Sequence, residues 1–304
     1  MNKKIKKILK NPALIFLSLG QRGWFNWMSD RLYLKIAYQI KMGKPLNLNK
    51  PLTYNEKLQW IKLNIHDDLW TKLVDKYEVK PIIAKIIGSQ YIIPTLGIYD
   101  RFDDIDFNTL PDQFVLKCTH NSGGLIICKD KSKFDHKSAK KILEKSLKQN
   151  FFYGQREWPY KNVKPRIIAE KYMEDSASSD LRDYKFFCFD GKVKALFIAT
   201  ERMNNSQETK FDFFDADFNH LSFQNGHPNA GILPQKPSQF NLMKELAAKL
   251  SKEIPQVRVD FYEVDGKVYF GEMTFFHWSG MVPFVPEEWD YKFGEWIDLP
   301  KEIK

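Results

Sequence analysis

The spacing of apolar residues changes near residue 90. Before that point apolar residues recur at helical spacing, from Trp24 to Tyr38 and again from Trp70 to Ile87, where Gly88 ends the pattern. The segment 53–56 has the form of a capping box, because its first hydroxyl and last carboxylate can each accept a hydrogen bond from an N–H group of the first helical turn. Residues 1–90 are therefore predicted to be mainly helical.

After residue 90, short apolar runs of strand length replace the helical pattern. The predicted strands are 113–118, 125–128, 166–170, 184–189, 192–200, 257–264 and 268–274, and the predicted helices are 138–150 and 240–252. Asp190-Gly191 and Asp265-Gly266 are pairs typical of tight hairpin turns. Helices followed by mixed strands and helices predict an α+β or α/β class rather than a helical bundle. We expect three regions: helical 1–90, a subdomain 91–170 and a C-terminal subdomain 171–304.

Composition and charge narrow the class of protein and of partner. The 304 residues are 43% hydrophobic and 28% charged, which excludes a disordered or collagen-like chain. The net charge of +9 favours anionic partners, among which composition alone does not choose. Three cysteines without a CxxC pair argue against a disulfide framework and favour a reducing, cytoplasmic compartment.

The N-terminus has two interpretations. Residues 1–10 are rich in lysine, and an apolar run follows at 13–19. The run is short and lacks a small-x-small cleavage pattern, so we expect an amphipathic helix rather than a secretory signal. This helix either packs on the body of the protein, which we favour, or rests on an anionic membrane surface. With no apolar run of spanning length, no membrane span is predicted.

The segment 117–124 combines a lysine at a strand end with a loop that contains Gly123 and Gly124. Backbone N–H groups in such a loop can surround phosphate oxygens, because glycine permits a close approach. The spacing is not that of a Walker A loop, and when the pattern is taken alone an ordinary hairpin turn is the better explanation.

Asp260 and Glu272, near Arg258, could share a magnesium ion, since Mg²⁺ prefers oxygen ligands. Register decides whether they meet. With a two-residue turn at Asp265-Gly266 and regular pairing, residue 260 lies opposite residue 271, and Glu272 points to the other face. The metal site therefore requires an odd-length loop or a β-bulge; the alternative is a pair of solvent-facing acids.

Other patterns are weaker. Arg202 and Lys185 could neutralise phosphate but could equally form surface ion pairs. Asp215-Ala216-Asp217 matches the DxD metal motif of sugar-nucleotide transferases, but such a short pattern often arises by chance. The histidines show no zinc-binding spacing, and neither a GxSxG elbow nor a GxGxxG loop is present.

Taken in order, segments spread over most of the chain resemble the ATP-grasp enzymes, most closely the TupA-like branch associated with teichuronopeptide biosynthesis and bacterial surface polysaccharides. These segments are 52–60 (LTYNEKLQW), 72–77 (KLVDKY), 110–117 (LPDQFVLK), 164–170 (KPRIIAE), 183–187 (DYKFF), 257–262 (VRVDFY) and 269–272 (YFGE). The resemblance implies an α+β fold in which two antiparallel-sheet subdomains hold ATP between them.

The resemblance also implies roles for particular residues. Around the nucleotide, Lys117 and Lys185 would contact the phosphates, and Gly123 and Gly124 would lie in the loop that covers them. The adenine hinge would be formed by Glu170, Lys171 and Met173. Asp260 and Glu272 would hold Mg²⁺, and Arg202 and Arg258 would stabilise the transferred phosphoryl group. One departure is Thr274, which stands where the general ATP-grasp pattern places an asparagine ligand.

The function so implied is an ATP- and Mg²⁺-dependent carboxylate–amine ligase that modifies a cell-surface polysaccharide or its precursor. Its partners would be an acidic glycan or uronic-acid acceptor and an amine donor, with no nucleic acid and with membrane association left open. The alternatives are a glycosyltransferase that uses Asp215 and Asp217, a phosphotransferase acting on a glycan, and a basic glycan- or membrane-binding module without ATP chemistry.

Overall fold

The structure, a computed structural model, describes residues 13–176, 181–200 and 208–300. Its first part is helical and contains α1 (Ala13–Gly20), α2 (Asp30–Met42), α3 (Tyr54–Asn64), α4 (Asp68–Val74) and α5 (Val79–Ile87). The predicted capping box begins α3: the Thr53 hydroxyl accepts from the Glu56 N–H, and the Glu56 carboxylate accepts from the Thr53 N–H. Helix α2 begins later than predicted because the Ser29 side chain caps it at the N–H of Leu32.

The single helix predicted over 70–87 is wrong, because Asp75 divides it. The Asp75 carboxylate accepts hydrogen bonds from the backbone N–H groups of Tyr77, at 2.7 Å, and Glu78, at 3.2 Å. Such a local side-chain bond competes with helix propagation. Arg166 fixes the break by pairing with Asp75 at 2.9 Å and with Glu78 at 2.8 Å.

The first sheet has four antiparallel strands in the order β1-β4-β2-β3. They are β1 (Thr95–Tyr99), β2 (Phe114–Cys118), β3 (Leu125–Cys128) and β4 (Ile167–Lys171). Helix α6 (His136–Leu147) packs on this sheet through Leu143, which shares a buried cluster with Phe114 and Leu116. A short helix, α7 (Phe152–Gln155), follows α6.

The second sheet has six antiparallel strands in the order β11-β10-β5-β6-β7-β8. Its strands are β5 (Asp183–Phe189), β6 (Lys192–Thr200), β7 (Lys210–Asp215), β8 (His220–Leu221), β10 (Val257–Val264) and β11 (Lys267–Thr274). The remaining elements are β9 (Gln224–Asn225), α8 (Phe240–Leu250), β12 (Phe284–Val285) and α9 (Glu288–Glu295). Strand β7 and helix α9 were not predicted.

The two faces of the second sheet differ. One face packs on α8, where the Phe186 and Phe240 rings lie 6.0 Å apart. On the other face, Asp260, Lys185 and Phe197 are direct cross-strand partners, so they project to the same side. This face is charged at its β10–β11 edge and aromatic over β6 and β7. Helices and antiparallel sheets together confirm the α+β class.

Within the described residues, no helix combines the length and the apolar character needed to cross a bilayer.

Candidate active site

A β-bulge brings Asp260 and Glu272 together on the last hairpin. The turn has two residues, Asp265 and Gly266, whose φ values of 49° and 73° suit the primed turns that join adjacent strands. Pairing is regular as far as Phe261 opposite Phe270, and then shifts so that Asp260 lies opposite Glu272. The extra residue is Gly271, at which a Cβ atom would lie 3.0 Å from the carbonyl oxygen of Asp260. Of the two registers considered above, the one in which the carboxylates converge is observed.

The guanidinium group of Arg258 bridges these two carboxylates. Its Nε and Nη2 atoms donate to the two oxygens of Asp260 at 2.7 and 2.8 Å, which is a bidentate pair. Nη2 also donates to Glu272 Oε1 at 3.0 Å and to Thr274 Oγ1 at 2.9 Å. Arg258 and Asp260 are buried, so this network has a fixed geometry.

Lys185 adds a second cation, since it lies opposite Asp260 on the neighbouring strand β5. Its ammonium group pairs with Asp260 and, at 3.2 Å, with Asp183. Burial would raise the pKa of Glu272, but Lys185 and Arg258 outweigh burial and hold that pKa below its ordinary value. Glu272 is therefore a carboxylate at neutral pH.

His277, which was not among the predicted site residues, contacts the other side of Arg258. Arg258 Nη1 lies 2.8 Å from His277 Nδ1. Because a guanidinium group can only donate, Nδ1 accepts and the proton is on Nε2, which donates to Asn225 Oδ1 at 3.0 Å. Burial, with Arg258 and Lys185 nearby, lowers the pKa of His277 well below its ordinary value, so the ring is neutral. No motif spacing links residues 258 and 277, so the sequence carried no signal for this contact.

The first sheet contributes an ion cluster around Glu170. One carboxylate oxygen of Glu170 pairs with Lys117 at 2.8 Å, and the other pairs with Lys80. Burial would raise the pKa of Glu170, but Lys117 and Lys80 outweigh it, so the pKa lies below its ordinary value. The cluster holds two cations around one buried anion.

The glycine loop is shaped by Asn121. The Asn121 amide donates to Ser146 Oγ at 2.9 Å, and its Oδ1 accepts from the Gly123 N–H at 3.0 Å. Gly124 has φ +64°, and a Cβ atom there would lie 2.6 Å from Ser146 Oγ and 2.7 Å from Cys118 Sγ. Only glycine fits this position, whereas Gly123 has ordinary space around it.

One cleft of about 280 Å³ lies between the two sheets, and of the hairpin carboxylates it is lined by Glu272. The predicted site residues Asp260, Arg258, Lys185 and Gly124 are not among its lining residues. From the first sheet it is lined by Lys117, Gly123 and Glu170, and from the second by Glu272. Lys76 and Lys80 also line it. The expectation that most lysines of residues 70–87 face solvent fits Lys72 and Lys85, which are exposed, but is wrong for Lys76 and Lys80.

The other sequence candidates lie elsewhere. Glu170 faces the cleft, but Lys171 is exposed, and neither Lys171 nor Met173 is among the lining side chains. Asp215 caps a local turn by accepting from the N–H groups of Asp217, at 2.9 Å, and Asn219, at 2.8 Å, so the DxD pattern serves that turn. Arg202 lies outside the described residues.

Comparison with solved structures gives low similarity. D-alanine–D-alanine ligase from Bacillus anthracis complexed with ATP is 15% identical, with a TM-score of 0.39, and the match covers 66% of this chain and 53% of that one. The ATP-grasp ligase PsnB, complexed with a variant of its minimal precursor, Mg and ADP, is 7% identical, with a TM-score of 0.41 and coverages of 72% and 57%. The chain thus spans little more than half the length of these proteins.

D-alanine–D-alanine ligase from Helicobacter pylori is 12% identical, with a TM-score of 0.38 and coverages of 80% and 69%. No curated protein matches the chain. The model of the TupA-like ATP-grasp family matches residues 56–298, which is well over half of the sequence. This chain therefore belongs to the TupA-like ATP-grasp family, as the sequence motifs predicted.

Proposed function

We propose that this protein is an ATP- and Mg²⁺-dependent ligase that joins a carboxylate to an amine on a cell-surface polysaccharide or its precursor. One observation carries the proposal: one cleft is lined by Lys117 of the first sheet, by Lys76 and Lys80 of the helical region and by Glu272 of the second sheet. Cations facing a carboxylate across a cleft are suited to hold a triphosphate and its metal ion. Family membership supports the same chemistry.

In this proposal ATP occupies the cleft. Lys117 and Lys80 contact phosphate oxygens and exchange their ion pairs with Glu170 for the more highly charged ligand. The backbone of the glycine loop covers the phosphates, and residues 170–173 contribute the adenine hinge through their backbone. Lys185 remains a predicted phosphate contact, since it lies beside Asp260.

The residues at the hairpin fit a magnesium ion. Asp260 and Glu272 are hard oxygen donors on one face, and a magnesium ion held by them would take the place of the hydrogen bonds that Arg258 Nη2 donates to both. The described residues contain no cluster of three or more His, Cys, Asp or Glu side chains arranged around a metal, so phosphate oxygens would complete the coordination. Bound Mg²⁺ would neutralise charge on the transferred phosphoryl group.

The proposed reaction has two steps. An acceptor carboxylate oxygen attacks the γ-phosphorus, the bond to the bridging oxygen of ADP breaks, and an acyl phosphate forms. The amine nitrogen then attacks the acyl carbon, inorganic phosphate leaves, and the nitrogen loses a proton to give the amide. Arg258, held by His277 and Asp260, supplies fixed positive charge where negative charge develops. We assign a uronic acid as the acceptor, because its carboxylate suits a cleft lined by Lys76, Lys80 and Lys117, and an amino acid as the donor.

The test measures ADP and phosphate release with pairs of uronic acids and amino acids. We expect turnover that depends on both partners and falls at least about 100-fold in Asp260→Asn/Glu272→Gln protein. Asp215→Asn/Asp217→Asn is the matched control and should retain activity. Normal turnover in the first variant would contradict the site assignment.

The products separate the alternatives. A phosphorylated glycan without free phosphate would replace the ligase with a phosphotransferase. Thermal stabilisation by UDP-sugars with Mn²⁺, but not by ATP with Mg²⁺, would favour a glycosyltransferase instead.

A further inference from the structure

We propose that residues 13–35 form a docking surface for an anionic membrane, centred on Trp24 and Trp27. This tryptophan surface (Trp24, Trp27 and Leu32 with Arg22, Arg31 and Lys35) lies outside the set of residues that line the ATP-grasp cleft. The proposal does not depend on the identity of the ligase substrates.

The first observation is the distribution of charge. Residues 1–55 contain 11 Lys and Arg residues and a single acid, Asp30. Residues 56–304 contain 36 Lys and Arg residues and 37 Asp and Glu residues. The whole positive excess of the chain is thus concentrated in its first 55 residues, and this part of the protein has the charge that attracts an anionic surface.

The single acid does not offset this charge. Asp30 pairs with the Nε atom of Arg156 at 3.0 Å, and Arg156 is buried. Arg22, Arg31 and Lys35 are exposed, and the last two are four residues apart on α2 and therefore share one face.

The second observation is exposed aromatic surface. The Trp24 side chain is 65% exposed and Trp27 is 79% exposed, although tryptophan is usually well covered. They follow each other in a series of tight turns closed by hydrogen bonds from the Asn26 N–H to the Gly23 carbonyl and from the Met28 N–H to the Phe25 carbonyl. The two exposed indoles therefore belong to one short segment of turns, three residues apart along the chain. Leu32, in the first turn of α2, is 48% exposed and adds a third exposed apolar side chain to residues 13–35.

The turn that presents the indoles is anchored to the protein. The Phe25 ring stacks on Phe16 with centroids 4.5 Å apart. Arg156 donates to the Phe25 carbonyl at 2.8 Å and to Asn26 Oδ1 at 3.1 Å. The indoles therefore project from a fixed base rather than from a loose chain, which lowers the entropic cost of binding through them.

These two observations together select a lipid surface. Tryptophan favours the region between lipid headgroups and acyl chains, and neighbouring lysine and arginine residues add attraction to anionic headgroups. A soluble polyanion would use the charge but would leave the indoles in water. The occupant we assign is a bilayer that contains anionic phospholipid.

The test is co-flotation of the full chain with phosphatidylcholine vesicles, with and without phosphatidylglycerol. We expect binding only to the vesicles with phosphatidylglycerol. Trp24→Ser/Trp27→Ser should weaken this binding about tenfold or more, since both apolar groups are lost. Each charge removed in Arg31→Gln/Lys35→Gln should weaken it about fivefold, which corresponds to about 1 kcal/mol per basic residue. Ile232→Ser, which changes a residue that is 89% exposed, is the control and should bind normally.

Three results would overturn the proposal. The first is equal binding to vesicles with and without phosphatidylglycerol. The second is unchanged vesicle binding by the tryptophan variant. If that variant also changes the molecular mass of the protein in solution, a second copy of the chain is the partner of the indoles. The third is a loss of heparin binding in that variant as large as its loss of vesicle binding, which would identify a glycan surface. ATP turnover in solution should be the same for every variant, so failure here is distinguishable from failure of the ligase proposal.

Discussion

The ammonium group of Lys62 lies 2.8 Å from the carbonyl oxygen of Ser279 and thereby ties helix α3 to the turn that follows strand β11. This turn has three successive left-handed residues, with φ of 49° at Trp278, 59° at Ser279 and 61° at Gly280. Gln59 donates to the same Ser279 carbonyl at 2.9 Å and to the Gly280 carbonyl at 2.8 Å. Left-handed backbone at non-glycine residues persists only where its surroundings enforce it. The helical N-terminal region therefore enforces the backbone that places the neighbouring His277 against Arg258.

Replacing Lys62 with methionine should destabilise the protein. Burial lowers the pKa of Lys62 to about 7, and the same burial raises the pKa of Glu157, whose carboxylate accepts a hydrogen bond from the Ser279 hydroxyl. Without the Lys62 ammonium group, Glu157 stays buried but loses a nearby positive charge. We expect this to lower the free energy of unfolding by about 3 kcal/mol. Urea unfolding measures the loss.

Lys62→Met/Glu157→Gln is the matched variant and should recover part of that stability, because no uncompensated carboxylate remains. A double variant less stable than the single one would show that the two side chains do not act as a pair.

Gly124→Ala and Gly123→Ala should differ sharply in how much they destabilise the protein. A methyl group at Gly124 meets Ser146 Oγ and Cys118 Sγ and must also adopt φ +64°, whereas the nearest atom to a Cβ at Gly123 is 3.6 Å away. We expect Gly124→Ala to cost about 2 kcal/mol and Gly123→Ala less than about 0.5 kcal/mol. Thermal unfolding of both proteins checks this, and equal losses would contradict the strained geometry at Gly124.

Glu170→Gln should destabilise the protein in a pH-dependent way. At pH 7 the change leaves Lys80 and Lys117 without their carboxylate partner, and we expect a loss of about 3 kcal/mol. The folded pKa of Glu170 is lowered from 4.5, so its contribution is complete above about pH 4.5 and is lost as pH falls through the folded pKa. The stability difference between wild type and variant should therefore shrink in acid.

Urea unfolding at a series of pH values measures that difference. Glu174→Gln is the control, because the 3.8 Å pair of Glu174 with Lys129 is solvent-exposed and should contribute under about 1 kcal/mol. If Glu170→Gln lowers the free energy of unfolding by the same amount at pH 7 and at pH 3, the ion pairs of Glu170 with Lys80 and Lys117 are not the cause of the loss.

Thr274→Val should reduce catalysis. The hydroxyl accepts from Arg258 Nη2 at 2.9 Å and donates to Glu272 Oε1 at 3.3 Å, so the substitution removes a hydrogen bond to a buried charge with little change in shape. We expect a stability loss of about 1.5–3 kcal/mol and slower ATP-dependent turnover. Thr200→Val is the control, since the buried Thr200 hydroxyl has no partner among the described residues and its loss should be neutral or stabilising. If Thr274→Val leaves turnover unchanged, the Thr274 hydroxyl is not needed to position Arg258.

The sequence predicted elements whose signal is local. Strands β3 and β6 have the predicted bounds, because each is an apolar run followed or preceded by a turn. The break between α4 and α5 depends on Arg166, which is 91 residues from Asp75, and no local pattern reports such a contact. The same limit applies to the contact of Arg258 with His277 and to the approach of Lys76 and Lys80 to the cleft.

The register of the last hairpin could be predicted from the sequence only in part. Periodicity limited it to two alternatives but did not choose between them. The signal that could have chosen is Gly271, because a glycine inside a strand often marks a bulge. Residue roles at the nucleotide and metal sites rest on the family resemblance, which local physics alone does not supply.

The bridge that Arg258 makes between Asp260 and Glu272 means that the protein carries its own counter-ion at the hairpin. Two acids facing each other would repel unless a cation neutralised them, and here the chain provides that cation. Chelation with EDTA should therefore stop turnover while leaving the melting temperature unchanged, and the purified protein should tolerate long storage in a metal-free buffer.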